Sequence, residues 1–70
     1  MNLTTLLGAL SAIGPAVAKI PQFVELYHQA AALLDPADEA TAKEALADIQ
    51  ADNDAGHARL QAKLAAAAAA

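Results

Sequence analysis

The chain has no cysteine and no tryptophan, so disulfides, thiolate metal centres and thiol nucleophiles are excluded from its 70 residues. Aromatic side chains are nearly missing as well, since Phe23 and Tyr27 are the only two. Cations are scarce: Lys19, Lys43, Arg59 and Lys63 stand against eight carboxylates, for a formal charge of −4. No basic stripe is available to displace counterions from a phosphate backbone, which argues against nucleic acid as a partner. Charge is also absent from one end. Met1 to Ala18 carries no ionisable side chain, and Lys19 and Glu25 are the only charges before Asp35. The other ten of the twelve charged side chains fall between Asp35 and Lys63.

What is present is apolar but small. Hydrophobic residues make up 57% of the chain, and much of that share is alanine, which buries little area per residue. At about 25 cal/mol per Å² of buried apolar surface, such a core struggles against about 1.5 kcal/mol of ordering entropy per residue. The expectation is a fold completed by contact with a second copy, a larger partner or a lipid surface. Ala16-Val17-Ala18 has the small-x-small form of a secretion cleavage site, but no basic start precedes the apolar run, so no cleaved signal is expected. A membrane span needs about 20 predominantly apolar residues. Here Thr4, Thr5, Gly8, Ser11, Gly14 and Pro15 interrupt the run.

Leu3, Leu6, Leu7, Leu10, Ile13 and Val17 recur at three- and four-residue steps and define one face of an amphipathic helix. Its other face is small, and Gly8 and Ala12, four apart, are spaced for close approach of a neighbouring helix. Gly14-Pro15 and then Pro21 punctuate the pattern, predicting a kink or short break at each. From Pro21 to Leu34 a second helix is expected, with Phe23, Leu26, Tyr27, Ala30, Leu33 and Leu34 as its apolar stripe. Asp35-Pro36-Ala37-Asp38-Glu39 is a strong helix start, with a capping carboxylate, a proline in the first turn and acids at the positive end of the dipole.

The helix beginning there is expected to continue through Ala42, Leu46, Ile49, Asn53, Leu60 and Leu64, with Glu39 and Lys43 paired on its wet side. Asp52-Asn53-Asp54-Ala55-Gly56 has turn-prone chemistry and is the place where this helix would break. The spacing of Ile49, Asn53, His57 and Leu60 favours continuity. The fold expected is therefore all-α: a helical hairpin turning at Asp35, with a proline-kinked apolar arm over 3–34, a long acidic amphipathic helix over 36–64 and an alanine tail over 65–70. In that hairpin Phe23 and Tyr27 face Leu46 and Ile49, and Leu6 to Leu10 face Leu60 to Leu64.

No arrangement of residues names a reaction. His28 and His57 lie on different arms and would have to converge with Glu25 or Asp54 to hold a metal. Asp52-x-Asp54-x-Gly56 lacks the third ligand and the distal glutamate of a calcium loop. Glu44 and Asp48 share a helical face with nothing near to separate their proton affinities, and are read as surface groups. Ser11 has no neighbouring base. Asn53 has two readings: a buried amide fixing register in a helix seam, or a surface residue between two aspartates. No catalytic residue, cofactor or metal is expected.

Asp48-Ile49-Gln50 and Asn53-Asp54-Ala55-Gly56-His57-Ala58-Arg59-Leu60-Gln61 resemble the C-terminal helix of small alanine-rich proteins encoded among the virion or lysis genes of tailed bacteriophages. The resemblance implies a non-catalytic virion component, or a small membrane-active lysis protein in the host membrane, and carries over no site residues. The function expected is thus a structural, multi-copy interaction protein that docks through Leu3, Leu6, Leu7, Leu10, Ile13, Val17, Phe23, Leu26, Tyr27 and Leu34. The alternative is a holin-like or pore-forming protein. Against that alternative, a surface-seeking membrane helix normally displays several cations, and the apolar arm offers only Lys19.

Overall fold

A computed structural model describes all 70 residues and contains four α-helices: α1 (Leu3–Ala18), α2 (Pro21–Ala31), α3 (Pro36–Gln50) and α4 (Asp54–Ala69). Local chemistry sets each start. The Asn2 side chain accepts a hydrogen bond from the Thr5 amide at 2.9 Å, and the Asp35 carboxylate accepts one from Asp38 at the same distance. Pro21 and Pro36 occupy the first turns of α2 and α3, where an amide donor is not needed. Inside α1, Gly14 stands at φ 81 and ψ 171, a non-helical conformation that only glycine enters easily, and Pro15 resumes the helix after it. The expected proline-kinked apolar arm and the reversal at Asp35 are both present.

The second arm is divided. α3 ends at Gln50, and Asp52 adopts φ 52, the left-handed turn that closes a helix. Asn53 then caps a new helix by accepting from the Gly56 amide at 2.7 Å. The expected continuous helix over 36–64 is therefore two helices. Asn53 is a cap and exposed, not a buried amide in a seam.

This break decides where the core lies. α4 folds back to pack on α1 and α3, while α2 packs on α1 and α3 from another side and does not touch α4. The radius of gyration is 10.8 Å, against about 11 Å for a closed single domain of this length. The core contains Leu6, Leu7, Leu10 and Ala18 of α1, Tyr27 and Ala31 of α2, Ala42, Ala45, Leu46 and Ile49 of α3, and Leu60 of α4. Leu7 and Leu10 have no exposed surface at all.

Two polar contacts fasten the layers. The Tyr27 hydroxyl donates to the Ala42 carbonyl at 2.7 Å, and the Gln50 amide donates to the Ala18 carbonyl at 3.0 Å, satisfying an acceptor at the end of α1. Phe23 lies 6.0 Å from Tyr27 between ring centres and packs against the core edge.

Close helix approach occurs at a glycine other than the expected one. A Cβ placed on Gly8 would meet nothing within 4 Å, and Ala12 is exposed, so this pair makes no seam. A Cβ on Gly56 would collide with the carbonyl oxygen of Asp48, because α4 starts directly over the last turn of α3.

Candidate interaction surface

The ten residues expected to dock divide into three groups. Leu6, Leu7, Leu10 and Tyr27 are internal, so they are not available to an outside surface while the fold is closed. The physical reason is the return of α4, which together with α3 supplies the cover that the sequence reading had assigned to a partner. Leu3, Ile13, Phe23 and Leu34 are half-buried at the core margin. Only Val17, 37% exposed, and Leu26, 64% exposed, point outward.

Two apolar residues outside that set join them. Ile20 is 45% exposed in the turn before α2, and Leu33 is 84% exposed in the turn after it. The signal for Leu33 is in the spacing. It follows Leu26 by seven residues, the spacing of two helical turns, while Tyr27 and Ala31 of α2 are turned inward. The turn at 32–34 winds more tightly than α2: the Ala32 amide donates four residues back to His28, whereas those of Leu33 and Leu34 donate three residues back, to Ala30 and Ala31. Gln22, Glu25 and Gln29 are the exposed polar residues of α2 beside Leu26.

The one buried charge lies on α3. Asp48, expected at the surface, has a side chain only 8% exposed and takes Lys63 at 2.6 Å and Arg59 at 3.0 Å, both from α4. Burial alone would push its carboxyl up. Hydrogen bonds and positive charge from Lys63 and Arg59 outweigh that and hold it below the usual carboxylate range. Arg59 and Lys63 are four apart on one helical face, and that spacing is the signal that would have paired them with a common acid. The Tyr27 hydroxyl is raised well above the ordinary phenol range by burial. Neither group faces an opening.

Ser11, Gly14, Pro15, Ile49, His57, Leu60 and Gln61 line a shallow cleft between α1 and α4 with a volume of about 60 Å³. Ligand pockets measure about 300–1,000 Å³, so this cleft has no room for a substrate. Its polar edge is partly tied up, with the Gln61 amide donating to Ser11 Oγ at 3.3 Å. His28 and His57 are both exposed, and no group of three or more metal-binding side chains converges. No helix is long and apolar enough to cross a membrane.

Comparison with protein-family models, with curated proteins and with solved structures gives no match.

Proposed function

We propose that this chain is a non-catalytic interaction protein that docks on a larger protein assembly through the part of its apolar arm left outside the core. The docking residues are Leu26 on the outer side of α2 and Leu33 in the turn after it, with Val17 and Ile20 at the α1–α2 junction. The observation that carries the reading is the exposure of Leu26, 64% on the one helix that α4 does not contact, and of Leu33, 84% in the turn that follows that helix. Exposed leucines are common singly, but two at a seven-residue spacing, one on α2 and one in the turn after it, offer a partner helix two anchor points.

The acidic surface supports a protein rather than an anionic lipid as the receiving side. All four cations are paired within the chain, Lys19 with Asp52, Lys43 with Glu39, and Arg59 and Lys63 with Asp48. The proposed assembly is of virion type, and that part rests on the resemblance of residues 48–61 alone.

The test is the native mass in an extract of cells that make the protein. Wild type is expected to travel with a larger particle, and the double variant Leu26→Asp, Leu33→Asp to travel as free chain while melting at an unchanged temperature. Wild type travelling alone overturns the reading. Flotation of the purified chain with liposomes, resistant to high salt, transfers it to the membrane-active alternative.

A further inference from the structure

We propose that α4 is exchangeable between two copies of this chain: in a domain-swapped dimer, α4 of each copy fills the α1–α3 groove of the other, and residues 36–69 run as one continuous helix. This goes beyond the α2 docking surface and uses none of its residues.

Three observations support it. The connector between α3 and α4 is only Ala51, Asp52 and Asn53, and its middle residue holds φ 52, a left-handed conformation that aspartate enters more readily than most residues but less readily than glycine. Short hinges under backbone strain are the usual route to exchange of an element between protomers. Second, Ile49, Asn53, His57 and Leu60 keep helical spacing straight through the turn, so the same residues fit an uninterrupted helix once Asp52 moves to the right-handed region. Straightening loses the Asn53 cap on the Gly56 amide and gains the backbone hydrogen bonds missing between α3 and α4.

Third, the groove is already fitted to its occupant. Leu60 enters the core, Arg59 and Lys63 meet the buried Asp48 carboxylate, and Gln61 meets Ser11 of α1. All of these contacts lie beyond the hinge and can be remade with a second copy, so the dimer repeats the interface of the monomer. The equilibrium is then set by the hinge and by concentration. Asp52 and Asp54 from both copies meet where the straightened helices pass, so raising the salt concentration favours the dimer.

Two hinge variants separate backbone from charge, because both remove the Asp52 carboxylate and its 3.9 Å contact with Lys19. Asp52→Gly accepts the left-handed turn and weakens a continuous helix, so it favours the monomer. Asp52→Ala resists the turn and favours the helix, so it favours the dimer. The dimer dissociation constants of the two are expected to differ by about a thousandfold or more, since both effects act at two hinges.

The chain has no cysteine, so spin labels can be placed cleanly through Ala37→Cys and Ala68→Cys, both at exposed positions. A continuous helix separates these 31-residue-spaced sites by about 46 Å. The closed molecule is only 26 Å in its longest dimension.

The chain and both hinge variants are refolded at millimolar concentration, sized, and measured by pulsed electron spin resonance. A dimer of Asp52→Ala and of wild type showing the long distance, depleted in Asp52→Gly, is the expected result. A dimer with only short distances overturns the proposal in favour of association through an outer face, and so does a strictly monomeric Asp52→Ala. Because Leu26 and Leu33 are untouched, either failure leaves the docking reading standing.

Discussion

Gly8 and Gly56 both sit inside helices, and replacing each with alanine is expected to move stability in opposite directions. At Gly8 a new Cβ meets nothing within 4 Å. The substitution therefore delivers only the helix-propensity gain of about 1 kcal/mol, which in a domain of this size raises the melting temperature by roughly 4–8 °C. At Gly56 the Cβ would overlap the Asp48 carbonyl oxygen, with Asn53 Oδ1 at 3.2 Å and the Ala51 Cβ at 3.3 Å on its other sides.

A backbone oxygen cannot rotate aside, so α4 must lift from α3. That movement strains the Leu60 packing and the Asp48 pairs together. Overpacking of this kind costs about 1–3 kcal/mol, and a disturbed cap about 1 kcal/mol more. Helix propensity returns at most about 1 kcal/mol. The net loss is about 1–3 kcal/mol, a large share of the roughly 4–10 kcal/mol typical of a 70-residue domain. Urea denaturation of the two variants beside wild type measures both shifts. A Gly56→Ala protein as stable as Gly8→Ala would refute the close crossing of α4 over α3, and with it the described path of the chain after Asp52.

Other perturbations test other parts of the fold. Gly14→Ala should cost about 1–3 kcal/mol from backbone strain alone, because φ 81 is forbidding while the space around it is open; a synthetic chain with D-alanine there should recover the loss. Tyr27→Phe should cost about 1 kcal/mol for its buried hydrogen bond to Ala42. Because the Tyr27 hydroxyl is raised by burial, its contribution is complete below the ordinary phenol value, about 10, and is lost as pH rises beyond it. The high-pH fall in melting temperature should be smaller in the phenylalanine variant. Asp48 has the opposite sign: its carboxyl is held low, so its contribution is complete above the usual carboxylate value, about 3.9, and fades as pH drops through the lower folded-state value. Asp48→Asn should lose about 1–3 kcal/mol near neutrality and flatten that acid limb in a pH series of thermal melts. Leu10→Asp should unfold the chain, by about 3 kcal/mol or more, because Leu10 is fully enclosed. Circular dichroism should show Leu26→Asp folded and within about 0.5 kcal/mol of wild type.

Features decided by near neighbours were legible in the sequence. Asp35-Pro36 and Gly14-Pro15 act through capping, fixed φ and a missing amide donor, all of which operate within one helical turn. The turn at Asp52 was not legible in the same way. The spacing from Ile49 to Leu60 suits one helix or two, and Asn53 is as suitable for a cap as for an interruption. What selects the turn is tertiary: the apolar face of α1 accepts Leu60, and Asp48 accepts Arg59 and Lys63, only when α4 returns. Asp48 looked like a surface acid for the same reason, since the groups that bury and pair it lie eleven and fifteen residues further on. Gly8 and Gly56 were indistinguishable as letters, and only the crossing of α4 gives one of them a neighbour.

One dihedral thus distributes the apolar surface of the whole chain. With Asp52 left-handed, α4 and α3 pack on α1, whose Leu6, Leu7 and Leu10 are buried, and the largest apolar exposures outside the first residue lie on α2, which α4 does not contact, and in its flanking turns. With Asp52 right-handed, the groove between α1 and α3 is vacated, and those leucines need a replacement helix of the same pattern. The only helix on hand guaranteed to match is α4 of another copy. Much of the cover that the greasy arm was expected to need is encoded in the same chain, where Leu6, Leu7 and Leu10 are buried, and under the proposed exchange the hinge determines whether that cover comes from within or from a twin. Docking through α2 and exchange of α4 use helices that do not touch, so a swapped dimer would present two copies of the Leu26–Leu33 pair and bind a multivalent assembly more tightly than one copy can.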